Sequence, residues 1–170
     1  MTEAQVLSRE RPTFAEIFAA HYSAMVRLAG LLGADDPEDI AQESFARLHL
    51  RQARLRDDAA AVPYLRSTVC NLTRNRIRHL RIVRLRRPDP PPPERSGEQT
   101  FLLAERHRDL LAAVDRLPRR QREALVLRYW LDLSEREIAD AMGVSPGSVK
   151  SHTSRAIAAL GRALKEDSDD

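Results

Sequence analysis

Apolar residues recur at spacings of three and four along most of this chain, the period of an α-helix that lays one face on a core. In FAEIFAAHYSAMVRLAGLLG, the residues Phe14, Ile17, Phe18, Tyr22, Met25, Leu28 and Leu32 make one such stripe, and Gly33 is placed to end it. DDPEDIAQESFARLHL follows, with Asp36 as N-cap, Pro37 at the first helical position and acids in the first turn. Its apolar face is Ile40, Ala41, Phe45 and Leu48. After the charged loop RLRDDAA, a third helix starts at Pro63 in PYLRSTVCNLTRNRIRHLRIVRLRR, with Leu65, Val69, Leu72 and Ile77 on its buried side. Residues 83–100, VRLRRPDPPPPERSGEQT, break the period, and their run of four prolines predicts an extended polyproline linker.

Helical periodicity returns after the linker. LLAAVDRLPRRQREALVLRYWLDLS holds two helices broken at Leu117–Pro118, because a proline disfavours helical geometry in the residue before it. The expected architecture is therefore all-α. Two small helical domains, residues 13–82 and 101–165, are joined by the Pro-rich linker 83–100 and flanked by a flexible N-terminus, 1–12, and an acidic tail, 166–170. Composition agrees: aromatic residues are scarce, so the cores must rest on Leu, Ala, Ile and Val. Cys70 is the single cysteine, which excludes an internal disulfide and a multi-cysteine zinc site. The start MTEAQVLSRERPTF lacks the apolar run of a signal peptide, and no apolar stretch approaches a membrane span. A cytoplasmic protein without membrane association is expected.

The stretch SEREIADAMGVSPGSVKSHTSRA, from Ser134 to Ala156, carries the first functional signal. Ser134 and Glu137 form an S-x-x-E capping box, Gly143 lies in a short turn, and Ser145–Pro146 opens a second helix. That is the grammar of a helix-turn-helix, here expected in a winged-helix-like domain. At about 100° per residue, Val149, Thr153, Ala156, Leu160 and Leu164 fall on one packing face. Gly147, Ser148, Ser151, Ser154 and Arg155 fall opposite, with Lys150 on the shoulder. Small side chains let a helix lie deep in a major groove, while Lys and Arg reach phosphates or guanine edges. A merely solvated face would favour Glu beside Lys, yet there is no acid from Pro146 to Leu164.

Net charge is only +3, but its distribution matters more than its sum. From Arg66 to Arg87 there are eight arginines and no Asp or Glu. Arg66, Asn71, Arg74 and Arg78 recur three to five residues apart, with Asn75 beside Arg74, so several share a helix face. A nonspecific basic tail is the plainer alternative; the two asparagines argue against it, since each offers a donor and an acceptor to an exposed base edge.

With a basic helix on each side of a linker, the chain resembles the extracytoplasmic-function (ECF, group 4) sigma factors of bacterial RNA polymerase over roughly residues 13–165. DDPEDIAQESFARL resembles the core-binding segment of sigma region 2, and PYLRSTVCNLTRNRIRHLR its promoter-melting helix. RLPRRQREALVLRYWLDLSEREIADAMGVSPGSVKSHTSRAIAAL resembles region 4 nearly throughout. The resemblance implies a sigma factor that binds core polymerase, recognises −35 and −10 promoter elements and promotes strand opening. It places Asp39, Gln42, Glu43 and Phe45 on the β′ clamp coiled coil, with Phe45 equally readable as core. It places Arg66, Asn71, Arg74, Asn75 and Arg78 at the −10 element, and the loop Arg54 to Ala61 near a flipped-out base. Ser148, Lys150, Ser151, Ser154 and Arg155 match readers of the −35 element. The β flap is implied as a further contact, and many members of the family are held by an anti-sigma factor. Tyr64 stands where many members carry Trp, and Asn75 where many carry an acid.

No Gly-rich phosphate loop, HExxH or G-x-S-x-G occurs, so no catalytic role, cofactor or metal is expected. The five histidines are scattered singly, and Cys70 reads as a small core residue unless its basic surroundings lower its pKa. Two rival readings are a free-standing regulator with a similar helix-turn-helix and an adaptor acting through DDPEDIAQE. The first would need a βαβ domain in front, and the Arg-rich helix argues against the second.

Overall fold

In a computed structural model, the structure describes residues 12–52, 58–86 and 105–166. Seven α-helices occur among them: α1 (Phe14–Leu31), α2 (Pro37–Gln52), α3 (Ala61–Arg86), α4 (Glu105–Arg116), α5 (Arg119–Tyr129), α6 (Glu135–Met142) and α7 (Pro146–Glu166). There is no strand among the described residues. The segments 1–11, 53–57, 87–104 and 167–170 lie outside them, and with these most of the expected linker, the tail and the start of the base-capturing loop.

Local signals set the helix ends. Thr13 and Glu16 form a capping box on α1, with Thr13 N–H donating to Glu16 Oε2 at 2.7 Å and Glu16 N–H to Thr13 Oγ1 at 3.3 Å. Gly33 closes α1 at φ +93°, where Ala34 N–H reaches back to the Ala29 carbonyl at 3.0 Å. Asp36 stands at the expected N-cap position of α2. Its carbonyl accepts from Ile40 N–H at 3.2 Å, but its carboxylate pairs with Arg76 of α3 and so ties the start of α2 across the domain. α3 is also longer than expected. It starts two residues before Pro63, which the first turn tolerates, and continues through 83–86 into the expected linker, spanning about 39 Å.

α1, α2 and α3 enclose a core of Met25, Leu28, Ile40, Phe45, Leu48 and Leu65, all essentially inaccessible to solvent. The buried hydroxyls of Ser44 and Thr68 each donate to the carbonyl four residues earlier, Ile40 and Tyr64, at 2.8 and 2.7 Å. The second group, α4 to α7, packs α7 across α5, α6 and α4. Its α4–α5 elbow, broken at Pro118 as expected, is held by Arg122, which donates to the Val114 carbonyl at 3.1 Å and to the Asp115 carbonyl. A guanidinium there adds a donor to the last carbonyls of α4, of which Val114 also accepts from Leu117 N–H at 3.1 Å. The two groups are not separate bodies: α3 packs on α6, and one continuous cluster of buried side chains includes Leu65 and Cys70 on one side and Leu127 and Ile138 on the other.

Candidate nucleic-acid interface

Because Ser134 caps α6, the helix-turn-helix forms as its residues dictate. Ser134 N–H donates to Glu137 Oε2 at 2.9 Å, and Glu137 N–H donates to Ser134 Oγ at 3.3 Å. The backbone N–H of Ser134, then its hydroxyl, hold the Glu137 carboxyl below its ordinary range. Gly143 ends α6 in the left-handed region at φ 65°, ψ 41°, where a side chain would be strained. Ser145 Oγ accepts from Ser148 N–H at 3.2 Å at the start of α7.

On α7, Val149 and Ala156 are buried, whereas Lys150, Ser151, Ser154 and Arg155 are exposed. Ser148 is half-buried, its hydroxyl 2.9 Å from that of Ser145. The outward face is thus as small and basic as helical period predicts. Lys150 Nζ stands 3.8 Å from Glu135 of α6, an exposed pair of little energetic weight. His152 is half-buried, and burial, then the charges of Arg120 and Arg155, keep its pKa below the usual value.

The Arg-rich helix divides by direction. Asn71, Asn75 and Arg78 are exposed along α3, and Arg66 is half-buried. Arg74 turns away from this strip: its Nε donates to Glu123 Oε1 of α5 at 3.1 Å, and its side chain is only 17% exposed. Glu123, itself 2% exposed, also accepts from Arg120 Nη1 at 3.2 Å. Burial pushes the Glu123 carboxyl up, and the Arg74 and Arg120 charges draw it part of the way back. Arg119 Nη1 donates to the Arg74 carbonyl at 3.0 Å, and burial, then Arg81 and Arg78, lower its pKa. Cys70 lies beside this cluster, 1% exposed, and burial, reinforced by Glu123, pushes its thiol up. It is a core residue and not an activated thiolate.

On α2, Asp39 and Gln42 are exposed, and Glu43 pairs with Arg47 at 2.6 Å. Phe45 is in the core: it is 2% exposed, and its ring meets that of Phe18 edge-on at 5.0 Å between centroids. The apolar groups left at this surface are Phe18 and Leu50, the latter 81% exposed. Periodicity does not single out Leu50, although its place off the Ile40–Phe45–Leu48 face is the available signal. Nearby, Arg47, Leu50, Arg51 and Tyr64 line an open depression, with the Arg51 guanidinium 5.5 Å from the Tyr64 ring centre.

A further surface has no counterpart in the sequence pattern. Leu110, Val114, Tyr129, Trp130, Ile157 and Leu160 line an open apolar groove of about 630 Å³ between α4, α5 and α7, with Leu31 of α1 at its edge.

Residues 107–160 match the family described as Sigma-70, region 4. The chain is 33% identical over 159 residues to an RNA polymerase sigma-E factor of Streptomyces antibioticus, covering 89% of this chain and 84% of that protein. It is 30% identical to the ECF RNA polymerase sigma factor SigM of Mycobacterium tuberculosis, over 91% of this chain and 79% of the other. In fold it is similar to the sigma factor RpoE of Bartonella quintana, solved in complex with the anti-sigma factor NepR: TM-score 0.64, 24% identity, 89% of this chain and 96% of that one. CnrH, solved in complex with the cytosolic domain of CnrY, gives a TM-score of 0.61 at 21% identity, over 91% and 88%.

Proposed function

Since the chain belongs to the ECF sigma factors of RNA polymerase, we propose that its two basic helices divide promoter recognition between them and that α2 faces the polymerase. The observation that carries this reading is the outward face of α7, free of acid from Pro146 to Leu164 and set beyond a capped turn. Ser148, Ser151 and Ser154 allow close approach to a major groove, and Lys150 and Arg155 supply charge for phosphates or guanine edges at the −35 element. Asn71, Asn75 and Arg78 are exposed along α3 for the −10 element, where an unstacked base must be compensated by interactions with its edge and phosphates. Arg66 flanks them. Arg74 is paired with Glu123 and stands apart from that exposed strip.

Asp39, Gln42 and Glu43 present carboxylates and an amide to the β′ coiled coil, while buried Phe45 supports that surface from beneath and Leu50 offers its apolar contact. The apolar groove suits an amphipathic helix of a partner, such as the β flap or an anti-sigma factor. The chain acts as an initiation factor in the cytoplasm and not as a catalyst; no helix among the described residues is long and apolar enough to cross a membrane.

The test is reconstitution with sigma-free core RNA polymerase. Co-elution on a sizing column and promoter-dependent transcription are expected. Lys150→Ala with Arg155→Ala should weaken −35 recognition by roughly 1–3 kcal/mol for each base-specific interaction removed. DNA binding without core binding would instead identify an independent regulator, and unchanged promoter preference in the double variant would remove α7 as the reader.

A further inference from the structure

We propose that Glu135 guards Lys150: its carboxylate offsets a cation of the α7 face that attracts every phosphate alike, and so sharpens the discrimination of that face between sequences. The acid that α7 lacks is supplied by α6. Lys150 Nζ stands 3.8 Å from Glu135 Oε2, with the two side chains 69% and 42% exposed, so both groups are open to a duplex. They line an open depression of about 240 Å³ that Arg128 of α5 and Thr153 and Ser154 of α7 also bound. Ser154 is exposed, and through it the depression runs on into the outward face.

Which cation is paired gives the contact its meaning. An ammonium is a compact point charge that a phosphate oxygen satisfies wherever it lies, whereas a guanidinium is a planar fork that matches a guanine edge with two bonds. Of the two cations on the outward face, the indiscriminate one has the carboxylate. Arg155 is exposed and makes no ion pair among the described residues. The other cation of the depression, Arg128, donates through Nη1 to the Leu133 carbonyl at 3.1 Å, which ties it to the α5–α6 turn. Set against Arg128 and Lys150, one carboxylate halves the positive charge that the depression offers a phosphate.

In the free chain the pair weighs little, since water screens both groups. Docking on a duplex changes the balance. Water leaves the depression, phosphates arrive, and the carboxylate opposes each backbone contact that Lys150 makes, whatever the sequence. Affinity common to all DNA falls, while base-edge contacts by Arg155 are untouched. Specificity is the difference between the two, so a repulsive element of this kind raises it. Glu135 is not held by the helix cap, because Ser134 and Glu137 form the α6 box without it. Casting α7 as the reader rests on the function proposed above.

The experiment compares the full-length wild type, Glu135→Gln, Lys150→Ala, the double variant, and Asp140→Asn, which removes an equal charge from another exposed position of α6. Each is bound to core RNA polymerase, titrated with a labelled duplex of random sequence across a salt series, and then allowed to select from a randomised duplex library for sequencing. Glu135→Gln should bind the random duplex roughly two- to fivefold more tightly, the range of one exposed charge pair. Its salt slope should steepen by about 0.9, one phosphate contact, and it should select a less sharply defined −35 element. A merely structural defect would weaken binding instead, the opposite sign. In the Lys150→Ala background the same substitution should change nothing. A gain that persists there overturns the guard, as does an equal gain in Asp140→Asn, an unchanged slope, or a −35 preference kept in full. If Lys150→Ala itself leaves binding unchanged, α7 is not the reader and the guard falls with it; if Lys150→Ala weakens binding and Glu135→Gln alters nothing, only the guard falls. Should the chain not bind core, the sigma-factor reading fails separately, and the same titrations on the chain by itself decide the guard.

Discussion

Replacing Gly143 with alanine should destabilise the helix-turn-helix through the backbone alone. A Cβ built at this position meets no atom within 4 Å, so no side chain has to move. What remains is the left-handed conformation at φ 65°. For a residue with a Cβ that conformation costs about 1–2 kcal/mol. Alanine also narrows the unfolded ensemble, which returns about 0.4–1 kcal/mol. The net loss is about 1 kcal/mol, a fall in Tm of roughly 2–4 °C for a chain of this size. Gly143→Asn should lose less, because asparagine tolerates the left-handed region. Gly33→Ala supplies the contrast: at φ +93° its Cβ would also lie 2.6 Å from Arg122 Nη1, forcing aside the side chain that holds the α4–α5 elbow. Thermal melts followed by circular dichroism rank the three variants. A Gly143→Ala protein as stable as the wild type, or an asparagine variant worse than the alanine one, would refute the reasoning.

Two further outcomes follow from burial and charge. Phe45→Ala should cost about 3–5 kcal/mol of stability by opening the first core, whereas Leu50→Ala should leave stability within about 0.5 kcal/mol and lower core polymerase affinity; melts and sizing-column titrations separate the two effects. The carboxyls of Glu16 and Glu137 sit below their ordinary 4.5 in the folded chain, so their contribution is present above that pH and is lost as pH falls through the depressed values. Protection factors of the amides in the first turns of α1 and α6 should therefore fall as pH drops below about 4.5, and Ser134→Ala, which keeps the backbone N–H but loses the hydroxyl, should weaken that pH dependence in α6 alone.

Features set by near neighbours in the chain were legible in the sequence. The Ser134–Glu137 box, the Gly143 turn and the break at Pro118 each depend on residues within one helical turn, and the burial of Val149 and Ala156 follows from helical period. Phe45 shows where period stops informing: it places a ring on the inner face of α2, but only the Phe14, Phe18 and Tyr22 rings of α1 decide that the ring is covered. Arg74 shows the larger gap. Its partner Glu123 is 49 residues away, beyond the proline-rich segment, and no local pattern connects them. The same holds for the Asp36 carboxylate, whose partner Arg76 lies 40 residues on. α3 runs past its expected end for a different reason. Arg84, Leu85 and Arg86 are good helix formers, and the first proline after them stands only at position 88.

Trp130 is the single tryptophan of the chain, and it stands 54% exposed on the wall of the apolar groove. Its indole is therefore a built-in optical reporter. Anything that seats in the groove must exclude water from that ring, shifting its emission to shorter wavelength and shielding it from aqueous quenchers, while events at α2 or the outer face of α7 leave it unchanged. An unlabelled protein can thus announce which of its surfaces a partner has taken.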